Sequence, residues 1–175
     1  MVRLLFLSLF TFIGGGTKTI YNFKVPALNG GEINFAQYRG EKILIVNTAS
    51  LCGNTPQYAT LEKLYNRFKG KLVIIGFPAN NFGSQEPGSN KQISQFCTKE
   101  FHITFPMAAK ISVKGPDTHP LYQWLRDQSI KKGLSPAVPT WNFQKYLLDE
   151  KGNLVAVFTP TTQPLSPEVI AAIEK

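Results

Sequence analysis

One of two cysteines in the chain, Cys52, stands where an apolar run ends and a helical pattern begins, in Ile43-Leu44-Ile45-Val46-Asn47-Thr48-Ala49-Ser50-Leu51-Cys52-Gly53-Asn54-Thr55-Pro56. A thiolate is the nucleophilic form of cysteine, so its surroundings decide what the residue can do. Unpaired amides and the positive dipole end of a helix start favour a negative sulfur. The bland alternative is a small apolar residue packed into a tight turn. The second thiol, Cys97, leaves two further possibilities, one structural disulfide or a catalytic pair. His102 and His119 have no metal-ligand spacing with the cysteines, and no phosphate loop or cofactor fingerprint appears, so neither a metal nor a cofactor is expected.

The elements that must position Cys52 follow from periodicity. Ile43 to Val46 reads as a buried strand, and Thr55 and Pro56 suit the cap and first position of a helix. That helix carries Tyr58, Leu61, Leu64, Tyr65 and Phe68 on one face and closes at Gly70. Lys71 to Phe77 is a second continuous apolar strand, and the strand-helix-strand order implies parallel pairing. Upstream, Tyr21 to Pro26 and Glu32 to Phe35 flank Asn29-Gly30-Gly31, a hairpin signal. Downstream, Phe77 to Gly88 is a loop, and Ser89 or Asn90 opens a helix with Ile93, Phe96 and Cys97 on one face. Phe105 to Met107 and Ile111 to Val113 read as short extended pieces, His119 to Gln128 as a helix, and Lys131 to Thr140 as a loop. Tyr146 to Leu148 and Leu154 to Phe158 form a hairpin, and Ser166-Pro167-Glu168 caps a last helix. The pattern predicts a mostly parallel core followed by an antiparallel hairpin, with helices on both faces: a mixed α/β sandwich. Such sheets bind ligands at the carboxyl ends of their strands, where Cys52 falls.

With 43% hydrophobic residues in 175, one domain with a sound core is expected, over residues 17–175. The formal charge of +8 is scattered, without a basic run or interleaved aromatics, which argues against nucleic-acid binding. Arg3, the apolar stretch Leu4 to Ile13, and Gly14-Gly15-Gly16 match a secretory leader over residues 1–16. That stretch is too short for a membrane span, which takes about 20 residues, so no stable membrane insertion is expected. The alternative is an apolar N-terminal strand, which the three glycines would interrupt. The expected location is therefore exported, periplasmic or secreted, with the cytoplasm as the alternative.

Three segments carry a resemblance. Asn47 to Thr55 resembles the nucleophile segment of glutathione peroxidases, Phe77 to Gly88 their second signature, and Trp141-Asn142-Phe143-Gln144-Lys145-Tyr146-Leu147-Leu148 their third. The order and spacing are the family's, and the likeness covers the chain from about Tyr21 onward. It implies a thioredoxin fold with an N-terminal hairpin extension. It also implies that Cys52 is the peroxidatic nucleophile, with Gln85, Trp141 and Asn142 completing a tetrad. Many relatives carry selenocysteine where this chain has cysteine. Gln85 and Asn142 offer carboxamide N–H groups and Trp141 an indole N–H. These neutral donors suit a sulfur anion or the oxygen leaving a cleaved peroxide.

The segment Gln95-Phe96-Cys97-Thr98-Lys99 resembles the site of the resolving cysteine in relatives reduced by thioredoxin. The chain lacks a cysteine at Ala79 and has only a short loop from Ser129 to Trp141, features of the monomeric two-cysteine class. The resemblance thus implies a peroxidase acting on hydrogen peroxide and organic or lipid hydroperoxides, with a Cys52 sulfenic acid resolved by Cys97 and re-reduced by thioredoxin. A Cys97 embedded in a helix would need local unwinding to reach Cys52. The rival readings are the same chemistry with glutathione as reductant, and a non-enzymatic redox sensor or disulfide-stapled domain.

Overall fold

The computed structural model describes residues 18–175, and the expected leader lies outside the described residues. Strands β1 (Lys24–Pro26) and β2 (Glu32–Asn34) pair antiparallel, and Gly30 and Gly31 turn between them at φ of +89° and +77°. Strand β3 (Lys42–Thr48) leads through a loop into helix α1 (Gln57–Arg67), and β4 (Leu72–Pro78) lies beside β3. The two pair parallel from Lys42 opposite Leu72 to Thr48 opposite Pro78, every residue of both being buried. Continuous apolar runs of this kind are what a sheet covered on both faces requires.

Helix α2 (Asn90–Phe101) and helix α3 (Pro120–Lys131) follow, then β5 (Lys145–Leu148), β6 (Leu154–Phe158) and α4 (Pro167–Glu174). The sheet order is β4-β3-β5-β6. Only the β3–β4 pair is parallel; β5 runs antiparallel to β3, and β6 antiparallel to β5. The expected mixed sheet, a parallel pair followed by an antiparallel hairpin, is what the chain forms. The apolar runs announce burial on both faces, which holds, and the hairpin joins the sheet through β5, on the side of β3 away from β4. Of the two short extended pieces, Met107 bridges to the sheet opposite Gly76, and the Ile111 amide donates to Pro78 O at 3.0 Å.

Alternating side chains split the core into two layers. On one face Ile43, Ile45, Ile75 and Tyr146 pack against Leu121, Tyr122 and Leu125 of α3 and against Val25 and Ile33 of the N-terminal hairpin. On the other, Leu44, Val46, Ile74 and Leu147 meet Tyr58, Leu61 and Leu64 of α1, Ile93 and Cys97 of α2, and Val169 and Ile173 of α4. Each fully buried aliphatic side chain contributes roughly 2 kcal/mol. No helix among the described residues is long and apolar enough to cross a membrane.

This topology builds the site. The parallel strands β3 and β4 end at the same edge of the sheet. Antiparallel β5 begins there, since Lys145 pairs with Val46. Three connections therefore meet at one edge: residues 49–56, 79–89 and 141–144.

Candidate active site

Cys52 lies in the first of these connections, with 9% of its surface exposed. Thr55 was expected to cap α1; instead the helix starts at Gln57 with Pro56 as its cap residue. The Thr55 hydroxyl is used inside the loop, donating to Ala49 O (2.9 Å) and accepting from the Cys52 amide (3.1 Å). A side chain that satisfies two loop groups is worth more there than at a frayed helix end. The result holds the cysteine backbone from both sides. The Asn54 amide donates to Cys52 Sγ at 3.4 Å, placing a positive dipole end on the sulfur from the loop and not from the helix proper.

Gln85 and Asn142 come together: Asn142 Nδ2 donates to Gln85 Oε1 at 3.0 Å. That bond leaves the Gln85 N–H groups free to face a ligand. Asn142 is fully buried, and its Oδ1 has no partner. The pair is laced to the segment around Cys52. The Leu51 amide donates to Gln85 O at 3.0 Å, and Asn54 Nδ2 reaches Asn142 O at 3.5 Å. Trp141 stands at the rim, 41% exposed, its ring tilted against Phe82 at 5.6 Å between centroids.

The backbone beside both carboxamides is strained. Ser84, just before Gln85, has φ of +52°, and Phe143, just after Asn142, has φ of +69°. A bulky residue at positive φ persists only where its surroundings impose it. Here the Phe143 amide donates to Asn47 O at 2.6 Å, and its ring meets Tyr58 edge-on at 5.3 Å. Asn47 also donates from Nδ2 to Trp141 O at 3.0 Å. One asparagine at the end of β3 thus fixes the chain on both sides of Asn142. Asn47 lies in the quoted nucleophile segment, but its side chain had no assigned role; a polar residue ending an apolar strand was the available signal.

Cys97 is on α2, 3% exposed, and both cysteines are free thiols. Burial pushes the Cys97 thiol up to about 11, against an ordinary value of 9.0. The Tyr58 hydroxyl, fully buried and without a well-aligned hydrogen bond, faces both Cys97 and Thr48. Nearby, Glu86 is almost wholly buried, and burial raises its pKa against the Ser50 hydroxyl bonded to it at 3.1 Å. Sequence reasoning assigned no role to Tyr58 beyond its apolar face, nor to Glu86.

Comparison with known proteins shows which family the chain resembles. A family profile described as Glutathione peroxidase matches residues 20–126. The chain is 42% identical over 159 residues to the glutathione peroxidase homolog BsaA of Staphylococcus epidermidis, covering 90% of this chain and 98% of that protein. It is 43% identical over 145 residues to a glutathione peroxidase-like peroxiredoxin of Schizosaccharomyces pombe, covering 82% and 90%. It is 42% identical over 167 residues to a hydroperoxy fatty acid reductase of Synechocystis, covering 90% and 95%. Among solved structures, Trgpx in its apo form superposes with a TM-score of 0.70 at 36% identity, covering 91% of this chain and 98% of that one. A thioredoxin family thiol:disulfide interchange protein from Chlorobium tepidum superposes with a TM-score of 0.57 at 15% identity, covering 86% and 92%, a likeness of fold.

Proposed function

The chain belongs to the glutathione peroxidase family and is a thiol peroxidase with a thioredoxin fold; from that premise we propose how its own residues run the cycle. The observation that carries the proposal is the carboxamide pair Gln85–Asn142, bonded at 3.0 Å and tied to residues on both sides of Cys52. Cys52 sulfur attacks one peroxide oxygen and the O–O bond breaks. The sulfur is oxidised to sulfenic acid, and the leaving oxygen takes the proton lost by the thiol, departing as water or alcohol. Gln85 Nε2 and the Trp141 indole N–H are the donors that stabilise charge on that oxygen, with Asn142 orienting Gln85.

Cys97 then supplies the second thiol. Its sulfur bonds to the Cys52 sulfur, and the sulfenic hydroxyl leaves with the Cys97 proton as water. Two features of α2 support this role. First, the helix buries only Ile93 and Cys97 of its twelve residues, whereas α1 buries four and α3 five. A helix so lightly anchored opens locally at low cost. Second, the thiol is protonated at neutral pH while buried, so it waits for that opening before it becomes a nucleophile. The sign follows from its raised value: the stability from the buried thiol is complete below about 9 and is lost as pH climbs through 9 to 11.

A dithiol reductant of the thioredoxin type returns the disulfide to two thiols, becoming a disulfide itself. The two-cysteine arrangement supports thioredoxin over glutathione, and the short loop from Ser129 to Trp141 supports a monomer. The Synechocystis relative's name supports fatty acyl hydroperoxides among the substrates. The Arg3 to Gly16 pattern supports export, which N-terminal sequencing of the mature protein tests. The decisive assay follows peroxide consumption with thioredoxin and with glutathione, on wild type and on each cysteine variant. Cys52→Ser is expected to lose all activity. Cys97→Ser is expected to complete one turnover and then stop with thioredoxin. Continued thioredoxin-driven turnover without Cys97 would refute the assignment.

A further inference from the structure

An apolar groove of about 230 Å³ begins beside Cys52, at Ser50 and Leu51, and runs between Pro87-Gly88 and the Ile93–Phe96 side of α2. Leu51 lines it and is 63% exposed. Gly88 keeps it open: an added Cβ there would meet Ile93 Cγ1 at 3.4 Å. A cation lies alongside, since Lys110 Nζ donates to Glu86 O (3.2 Å) and Gly88 O (2.6 Å).

The choice of occupant follows from the state in which the groove exists. One wall is α2, the helix that opens to bring Cys97 to Cys52 in the cycle proposed above. A protein reductant meets the disulfide form, after that wall has gone. The hydroperoxide meets the reduced form, in which the wall is present. An apolar lining that starts one residue from the nucleophile, with a cation beside it, suits an acyl chain carrying an anionic head group.

We propose that this groove binds the acyl chain of a lipid hydroperoxide and that its occupant holds α2 folded, so that Cys97 resolves Cys52 only after the alcohol product has left. The inference rests on the peroxidase cycle above and gives that cycle an order. Hydrogen peroxide leaves the groove empty, and resolution then proceeds at once. An acyl substrate delays it, because a ligand that binds only the folded helix lowers the open population.

The test measures disulfide formation by rapid quench and mass spectrometry after one equivalent of hydrogen peroxide, with and without hydroxy-linoleic acid. With the alcohol at about ten times its dissociation constant, the rate is expected to fall ~tenfold. Leu51→Ser is expected to lower the preference for linoleic acid hydroperoxide over hydrogen peroxide roughly tenfold. A parallel arm with phosphatidylcholine hydroperoxide in vesicles distinguishes membrane lipid from free fatty acid as the source of the chain. An unchanged disulfide rate in the presence of the alcohol overturns the proposal alone. So does a Leu51→Ser variant that slows both peroxides equally, or one that raises only the KM for thioredoxin. Absence of any disulfide in the lipid-free control overturns the cycle, and this proposal with it.

Discussion

Asn142 does more at the site than a buried carboxamide needs to do for the fold. Its Nδ2 fixes Gln85, its carbonyl takes the Asn54 side chain, and its Oδ1 stays unpaired inside the protein. An unsatisfied buried acceptor costs on the order of 1–3 kcal/mol, and such costs persist where function holds them. Asn142→Ala frees the Gln85 amide to rotate while leaving Cys52 and its loop untouched. The rate of Cys52 oxidation, followed by stopped flow under pseudo-first-order peroxide, is expected to fall about a hundredfold, the usual loss for one preorganised donor, here Gln85 Nε2 once its orientation is gone. A rate within roughly threefold of wild type would remove Asn142 from the machinery. Cys52, Gln85, Trp141 and Asn142 could be singled out as candidates because each sits in a segment with its own recognisable pattern. Asn47, Asn54 and Thr55 were not, since their side chains bond to loops whose approach depends on the sheet order.

At the level of elements, α2 is the part expected to move. Ser89 caps it through a reciprocal arrangement: the Ser89 hydroxyl accepts from the Gln92 amide at 3.4 Å, and Gln92 Oε1 accepts from the Ser89 amide at 2.8 Å. Ser89→Ala removes a cap worth about 1 kcal/mol and shifts the helix toward opening by roughly fivefold. Disulfide formation after a stoichiometric peroxide pulse is expected to speed up by that factor, while the preceding oxidation of Cys52 keeps its rate. Slower disulfide formation in the variant would mean that Cys97 reacts from the folded helix. The sequence left Ser89 and Asn90 as alternative openings of this helix, and serine three residues before glutamine is the local signal that favours Ser89. Thr55 and Ser166 carried similar signals with different outcomes. Thr55 serves the Cys52 loop, and Ser166 precedes α4 with its hydroxyl buried and unbonded. Local preference proposes a cap, and tertiary competition decides whether it is used.

Over the whole molecule, two buried layers and one sheet edge account for the arrangement. The strands and helices were visible in apolar periodicity, and the partner of β5 was not, because that pairing is set by how the chain passes around α3 after leaving β4. Lys145 shows the same limit: it sits in a recognised segment, yet only the fold reveals it fully buried, donating to Thr162 O at 2.6 Å and lowered to about 7 by its burial. What the architecture provides is a sulfur at the sheet edge, in a loop tied through Leu51 and Asn54 to the Gln85–Asn142 pair, and a second sulfur stored in a lightly held helix. The most direct measurement is peptide mapping of the reduced protein after one equivalent of hydrogen peroxide, with no reductant present. A single intramolecular link between the peptides bearing Cys52 and Cys97 is expected. Recovery of Cys52 as sulfinic acid beside an untouched Cys97 thiol, or links only between separate chains, would contradict it.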